Sequence, residues 1–183
     1  MRFGNENIDL IIKETVSRYL KNQLLIESDN AKMLYHCYNG SIQGKNCIWL
    51  SDSADNSYGR KTAKFSVPLK EFAIADSDTV IEYIKKYDIP TWKDAMSDEY
   101  IDFGLEYFDW KKYRNGKISD EEAYNQIPMK SWTEVMEHPD YYNFPQALKN
   151  DGYDGYSFKY IDFSMPTYYI FFDIAKILKY RTI

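Results

Sequence analysis

At 183 residues, 44% hydrophobic and 28% charged, the chain has the size and balance of one globular domain that needs no disulfide or metal staple. Its formal charge of −5 argues against sequence-independent nucleic-acid binding, which needs Lys and Arg to displace phosphate counterions, and is compatible with a basic partner. No apolar run approaches the roughly 20 residues of a membrane helix, and the two cysteines, Cys37 and Cys47, have no metal-ligand spacing and read as two buried thiols, not a bridge.

Residues Met1 to Asn7 show no signal-peptide pattern, so the expected location is a cytoplasm, the cell's own or a host's. Ile8, Ile11, Ile12, Val16, Tyr19, Leu20 and Leu24 recur at three- and four-residue spacing and predict an N-terminal helix with Asn5 as its cap. After the Ser28-Asp29-Asn30 break, strands are predicted at Lys32–Tyr38, Cys47–Ser51 and Lys61–Pro68, with a short helix from Ala54 to Tyr58.

From about residue 78 to 140 the chain turns charged, aromatic and helical. Ile81–Tyr87, Asp98–Tyr113 and Ser119–Gln126 are the predicted helices, and Asp120-Glu121-Glu122 after Ser119 is a strong helix start. Strands resume beyond it, so the segment reads as a helical insertion or lid within one domain spanning residues 1–183. Trp92, Trp110 and Trp132 in it read as packing. Asp98, Glu99, Asp102, Glu106 and Asp109 read as a solvated face, with an acidic docking ridge as the alternative.

Phe144–Asn150 predicts a helix ending at Gly152, a residue suited to positive φ. Tyr156–Ile161 predicts a strand, and Tyr168–Phe172, a continuous apolar run, predicts a central strand covered on both faces.

The chain has no phosphate-cradling glycine loop, no cluster of metal ligands and no nucleophile elbow. Of its two histidines, His138 sits in the turn-like Glu137-His138-Pro139-Asp140, while His36 lies inside an apolar strand. Leu34-Tyr35-His36, Ile48-Trp49-Leu50-Ser51-Asp52, Ala54 and Tyr58, and the run from Tyr168 through Asp173 to Ile177 follow one another in order. This series resembles the three motifs of the ADP-ribosyltransferase superfamily, in its diphtheria-toxin and poly(ADP-ribose) polymerase branch. The segment Ala147 to Tyr156, with its Gly152-Tyr153-Asp154-Gly155 turn, looks like the small enzymes of phages and bacterial toxins.

The resemblance implies an α/β (α+β) fold of two small, twisted, roughly perpendicular sheets with NAD, the substrate, in the cleft between them. It implies a catalytic set of His36, Tyr58, Asp162 and Tyr168, and NAD contacts from Tyr35, His36, Cys37, Trp49, Ser51 and Tyr58. In this scheme His36 binds the adenosine ribose and the backbone at Cys37 pairs with the carboxamide. Trp49 and Tyr58 sandwich the nicotinamide, whose flat cation suits aromatic stacking, and Ser51 touches ribose or amide. Departure of nicotinamide passes through an oxocarbenium-like state that a carboxylate stabilises. Asp162 is a candidate for that carboxylate, with a solvated strand-end residue as its alternative.

Three positions depart from the family pattern. Cys37 stands where Gly is usual, Trp49 replaces Tyr, and Tyr168 stands where Glu is frequent, which argues for transfer of single units over polymer synthesis. The expected activity is mono-ADP-ribosylation of a protein acceptor by a phage modifier, toxin or effector, with no metal and no membrane contact. Three alternatives remain: an inactive relative acting by protein contact, a nucleic-acid ADP-ribosyltransferase, and an unrelated α/β binding protein.

Overall fold

The structure, a computed structural model, describes residues 31–39, 46–54, 59–91, 110–160 and 165–182. The expected N-terminal helix, Tyr58, Asp162, Trp92 and the acidic run from Asp98 to Asp109 lie outside the described residues. The strands are β1 (Lys32–Tyr38), β2 (Ile48–Ser51), β3 (Lys61–Val67), β4 (Ile74–Ala75), β5 (Gly155–Lys159), β6 (Thr167–Phe171) and β7 (Arg181–Thr182). They form one seven-stranded sheet in the order β4-β5-β6-β2-β1-β3-β7, antiparallel except where β4 meets β5.

Two separate sheets were expected, and the strands instead join into one. The join is narrow. β1 and β2 are registered only at Tyr35–Ser51, whereas β1 and β3 are registered along all of β1, from Lys32–Val67 to Tyr38–Lys61. A single pair is enough to connect two half-sheets and too little to hold their whole lengths together.

Described helices are α1 (Ser77–Tyr87), α2 (Trp110–Arg114), α3 (Asp120–Tyr124), α4 (Met129–Glu137), α5 (Phe144–Asn150) and α6 (Ile174–Leu178). Asp76 starts α1 by accepting the Thr79 N–H at 2.8 Å. At α3 the expected start is a full capping box, in which Ser119 and Glu122 each accept the other's backbone N–H. No helix among the described residues is long and apolar enough to cross a membrane.

Strand alternation sends side chains to two cores. On one face Cys47, Tyr156, Phe158, Tyr168 and Ile170 meet α1, α4 and α5, whose Ile84, Trp132, Val135, Phe144 and Leu148 are buried there. The helices of the predicted insertion therefore complete this core. Trp132, 4% exposed, is packing, as expected. Tyr156, fully buried, donates its hydroxyl to the Met136 carbonyl at 2.6 Å and so fastens β5 to α4. On the opposite face Leu34, Ile48, Leu50, Phe65 and Phe171 pack with Phe72 and Ile177 of α6. β6 feeds both cores, which matches its reading as a doubly covered central strand.

Gly152 has φ +92, in the region glycine tolerates best, as its place after α5 predicted. Gly155 is required for space: a Cβ there would overlap the Ile170 carbonyl of β6.

Candidate functional site

His36 lies in β1 just past the Tyr35–Ser51 pair. Antiparallel register would next set Cys37 against Trp49, but β1 and β2 are not registered at that step. The Trp49 carbonyl instead meets His36 Nδ1 at 2.7 Å. A carbonyl only accepts, so Nδ1 carries the proton and donates it. Burial lowers the His36 pKa below the ordinary histidine value, and the Trp49 carbonyl only partly opposes that. The ring is therefore neutral at pH 7 and Nε2 holds a lone pair. It is an acceptor for a hydroxyl.

Trp49 itself is half-buried on the helix-covered face. Its indole makes angled contacts with Phe158 at 6.0 Å and Tyr168 at 6.4 Å between ring centres. Tyr168 is 4% exposed and stacks on Phe158 at 5.5 Å, so it forms part of the floor under Trp49. Ser51 faces Tyr168 across β2 and β6, is 7% exposed, and donates its hydroxyl to the Ser53 carbonyl. Tyr35, half-buried, is paired with Ser51 on one side and Lys64 on the other. Cys37 was expected to be buried and is half-exposed instead, because its face of β1 is registered with the exposed Thr62, whose hydroxyl lies 3.7 Å from the sulfur. Both cysteines are free thiols, and burial pushes the Cys47 thiol up to about 11, so it stays protonated near neutrality.

The structure thus joins His36 to the Trp49 carbonyl and sets Tyr35, Cys37, Trp49, Ser51 and Tyr168 on the helix-covered face, while His36, registered with Ala63 and stacked on Tyr38, turns its ring to the opposite face. Tyr58 and Asp162 are not among the described residues.

Sequence reasoning missed the clamp beside these residues. Lys32 Nζ donates to Asp52 Oδ2 at 3.1 Å and to the Tyr169 hydroxyl at 2.9 Å, tying β1 to β2 and β6. Asp52 Oδ1 accepts the Thr167 N–H at 2.9 Å. Burial alone would raise the Asp52 pKa; the Thr167 N–H and the Lys32 ammonium outweigh it and hold the carboxyl below its usual range. The signal was present in the quoted motif, which ends at Asp52, but its partners are far away in the chain.

Asp154, within the predicted Gly152–Gly155 turn, does more than turn the chain. Its side chain accepts the Ala73 N–H at 2.9 Å and the Lys176 ammonium at 2.7 Å, linking the approach to β4 with α6. His138 is exposed, as expected for its turn.

A cavity of about 620 Å³ lies elsewhere, beside α1, lined by Asp78, Glu82, Lys85, Tyr124 and Trp132 among others. Lys85 already pairs with Glu82 at 2.7 Å and sits over the Tyr124 ring at 5.4 Å, so its charge is answered internally. Among the described residues no group of three or more His, Cys, Asp or Glu is placed to hold a metal ion. Comparison with known proteins gives no match to this chain among family models, curated proteins or solved structures.

Proposed function

We propose that the chain is an NAD-cleaving mono-ADP-ribosyltransferase with the ADP-ribosyltransferase type of fold, its substrate seated at the opening between β1 and β2. The carrying observation is the His36–Trp49 bond at 2.7 Å, which joins two residues of separate motifs at the step where the strands part. His36 Nε2 accepts a ribose hydroxyl, and the half-buried indole of Trp49 offers a surface to the nicotinamide ring. The bond from ribose C1′ to the nicotinamide nitrogen breaks, its electron pair leaving with neutral nicotinamide. An acceptor nucleophile then bonds to C1′ and gives its proton to solvent. The acceptor is a macromolecule, and a protein side chain is the class the −5 net charge favours.

A second reading, a protein that holds the dinucleotide without cleaving it, draws support from Tyr168. The family's frequent carboxylate is replaced there by a ring buried under Trp49. One experiment separates the two. Incubation with NAD labelled in the adenine and in the nicotinamide is expected to release nicotinamide and label an acceptor, and His36→Ala is expected to abolish both. Saturable NAD binding without nicotinamide release selects the second reading. Neither binding nor release rejects both.

A further inference from the structure

The negative charge of this chain is unevenly placed. Residues 71–160, which supply α1 to α5, hold 19 Asp and Glu against 10 Lys and Arg, so this part carries −9 and the remainder +4. The cavity of about 620 Å³ beside α1 lies within that part, walled by α1, α3, α4 and the turn between the last two. Buried Ile81, Ile127 and Trp132 give it an apolar floor.

Helix spacing places the carboxylates around that floor. Asp78 and Glu82, one turn apart on α1, both line the cavity, and Glu121 stands one turn before Tyr124 on α3. Glu82 pairs with Lys85, whereas Asp78 and Glu121 are exposed and form no ion pair among the described residues. Lys85 shows what such a groove accepts. Its ammonium lies 5.4 Å from the centre of the Tyr124 ring and 2.7 Å from Glu82, on an aliphatic stem that runs along the wall.

We infer that this groove docks a basic segment of a partner protein, with lysine or arginine stems over Ile81, Ile127 and Trp132 and their cationic heads at Asp78 and Glu121. Side chains that bury methylenes while their charged ends stay in water suit an apolar floor with an acidic rim. A nucleic acid would meet its own sign of charge here, and an uncharged apolar segment would gain nothing from the rim. That the docked protein is the one modified rests on the function proposed above; the docking itself does not.

The test is fluorescence anisotropy of a labelled oligolysine of about six residues, without NAD, at low and high salt. Binding is expected at low salt. Asp78→Asn with Glu121→Gln keeps the shape of both side chains, leaves the Lys85–Glu82 pair in place and is expected to weaken binding about fivefold. Glu71→Gln with Asp140→Asn makes the same change in net charge at two other exposed carboxylates, the second keeping an oxygen for Asn46, and is expected to leave binding within about twofold. Oligo-ornithine of the same length carries the same charge on stems one methylene shorter and is expected to bind about threefold more weakly, because less of each seated stem is buried. Circular dichroism melting checks that both double variants remain folded. No binding at low salt overturns the inference. So does equal loss in the two double variants, and so does equal affinity for the two oligomers, which bare charge attraction would give. Nicotinamide release is measured separately: its absence rejects the proposed activity and leaves the docking standing, and release without oligolysine binding rejects the docking alone.

Discussion

Asp52 and Thr167 hold each other in both directions: the Asp52 N–H donates to the Thr167 carbonyl at 3.1 Å, and the Thr167 N–H donates to Asp52 Oδ1 at 2.9 Å. With Lys32 bound to the second carboxylate oxygen, the ends of β1, β2 and β6 are pinned together at one side of the candidate site. At the other side, past the Tyr35–Ser51 pair, His36 occupies the Trp49 carbonyl and the ladder stops. One end is clamped and the other is open.

Removing the clamp should therefore cost stability in graded steps. Asp52→Ala loses an acceptor for a backbone N–H and a partly exposed ion pair, and is expected to cost about 1–2 kcal/mol. Asp52→Asn keeps an oxygen for Thr167 and loses only the charge, for about 0.5–1 kcal/mol. The folded pKa lies below the unfolded one, so this contribution is present above the usual carboxylate range and is lost as pH falls through the folded value. Urea midpoints at neutral and acid pH check the order. Equal losses in both variants would assign the whole effect to the ion pair.

His36 gives a prediction in ligand binding. Its pKa is lowered, so NAD affinity should be level above the ordinary histidine value of about 6.5 and fall as acidification protonates Nε2, turning an acceptor into a donor. His36→Ala is expected to lose about tenfold or more in affinity and all of the pH dependence. Calorimetric titration at several pH values checks it. Affinity that rises on acidification would show that Nε2 does not accept from the ligand.

What could be read from the chain follows from how local each signal is. Lys32–Tyr38 and Phe144–Asn150 match their predicted spans, because alternation and capping are written in neighbouring residues. Motif order linked His36, Trp49 and Tyr168, which periodicity cannot relate; the structure puts the Trp49 carbonyl on His36 and the Trp49 ring against Tyr168. Two-residue strands such as Ile74–Ala75 and Arg181–Thr182 were missed, since they exist only through β5 and β3. The division of the sheet was misjudged for a related reason: one pair, Tyr35–Ser51, decides whether it is one sheet or two.

Gly155 and Gly116 separate crowding from backbone conformation. A Cβ on Gly155 would overlap the Ile170 carbonyl and lie 3.1 Å from Phe171 Cα, both backbone atoms of β6 that cannot swing aside. Gly155→Ala is expected to cost about 2–4 kcal/mol. Gly116, with φ +64, meets nothing within 4 Å, so Gly116→Ala carries only the dihedral penalty of about 1 kcal/mol. Thermal melts of the two variants should rank in that order, and a reversed ranking would mean that β5 and β6 separate more easily than their register implies.

Asp88 is fully buried, and its two oxygens accept the Asn143 N–H at 2.6 Å and the Phe144 N–H at 3.0 Å, so it caps α5 from the end of α1. Burial nevertheless raises its pKa to about 6, more than the two N–H groups lower it. A folded pKa above the unfolded value means that the native state binds the proton more tightly, so stability falls as pH rises from about 4 to 6. The full effect is on the order of 1–3 kcal/mol. Asp88→Asn removes that dependence and turns an amide N–H toward a backbone N–H, which sets the variant about 1–3 kcal/mol below the protonated wild type. Wild type and variant should therefore differ most at acid pH, where the wild-type carboxyl is protonated, and converge toward neutrality. Urea titrations at pH values on both sides of that range measure the two curves, and a difference that widens toward neutrality would show that the capping bonds outweigh burial.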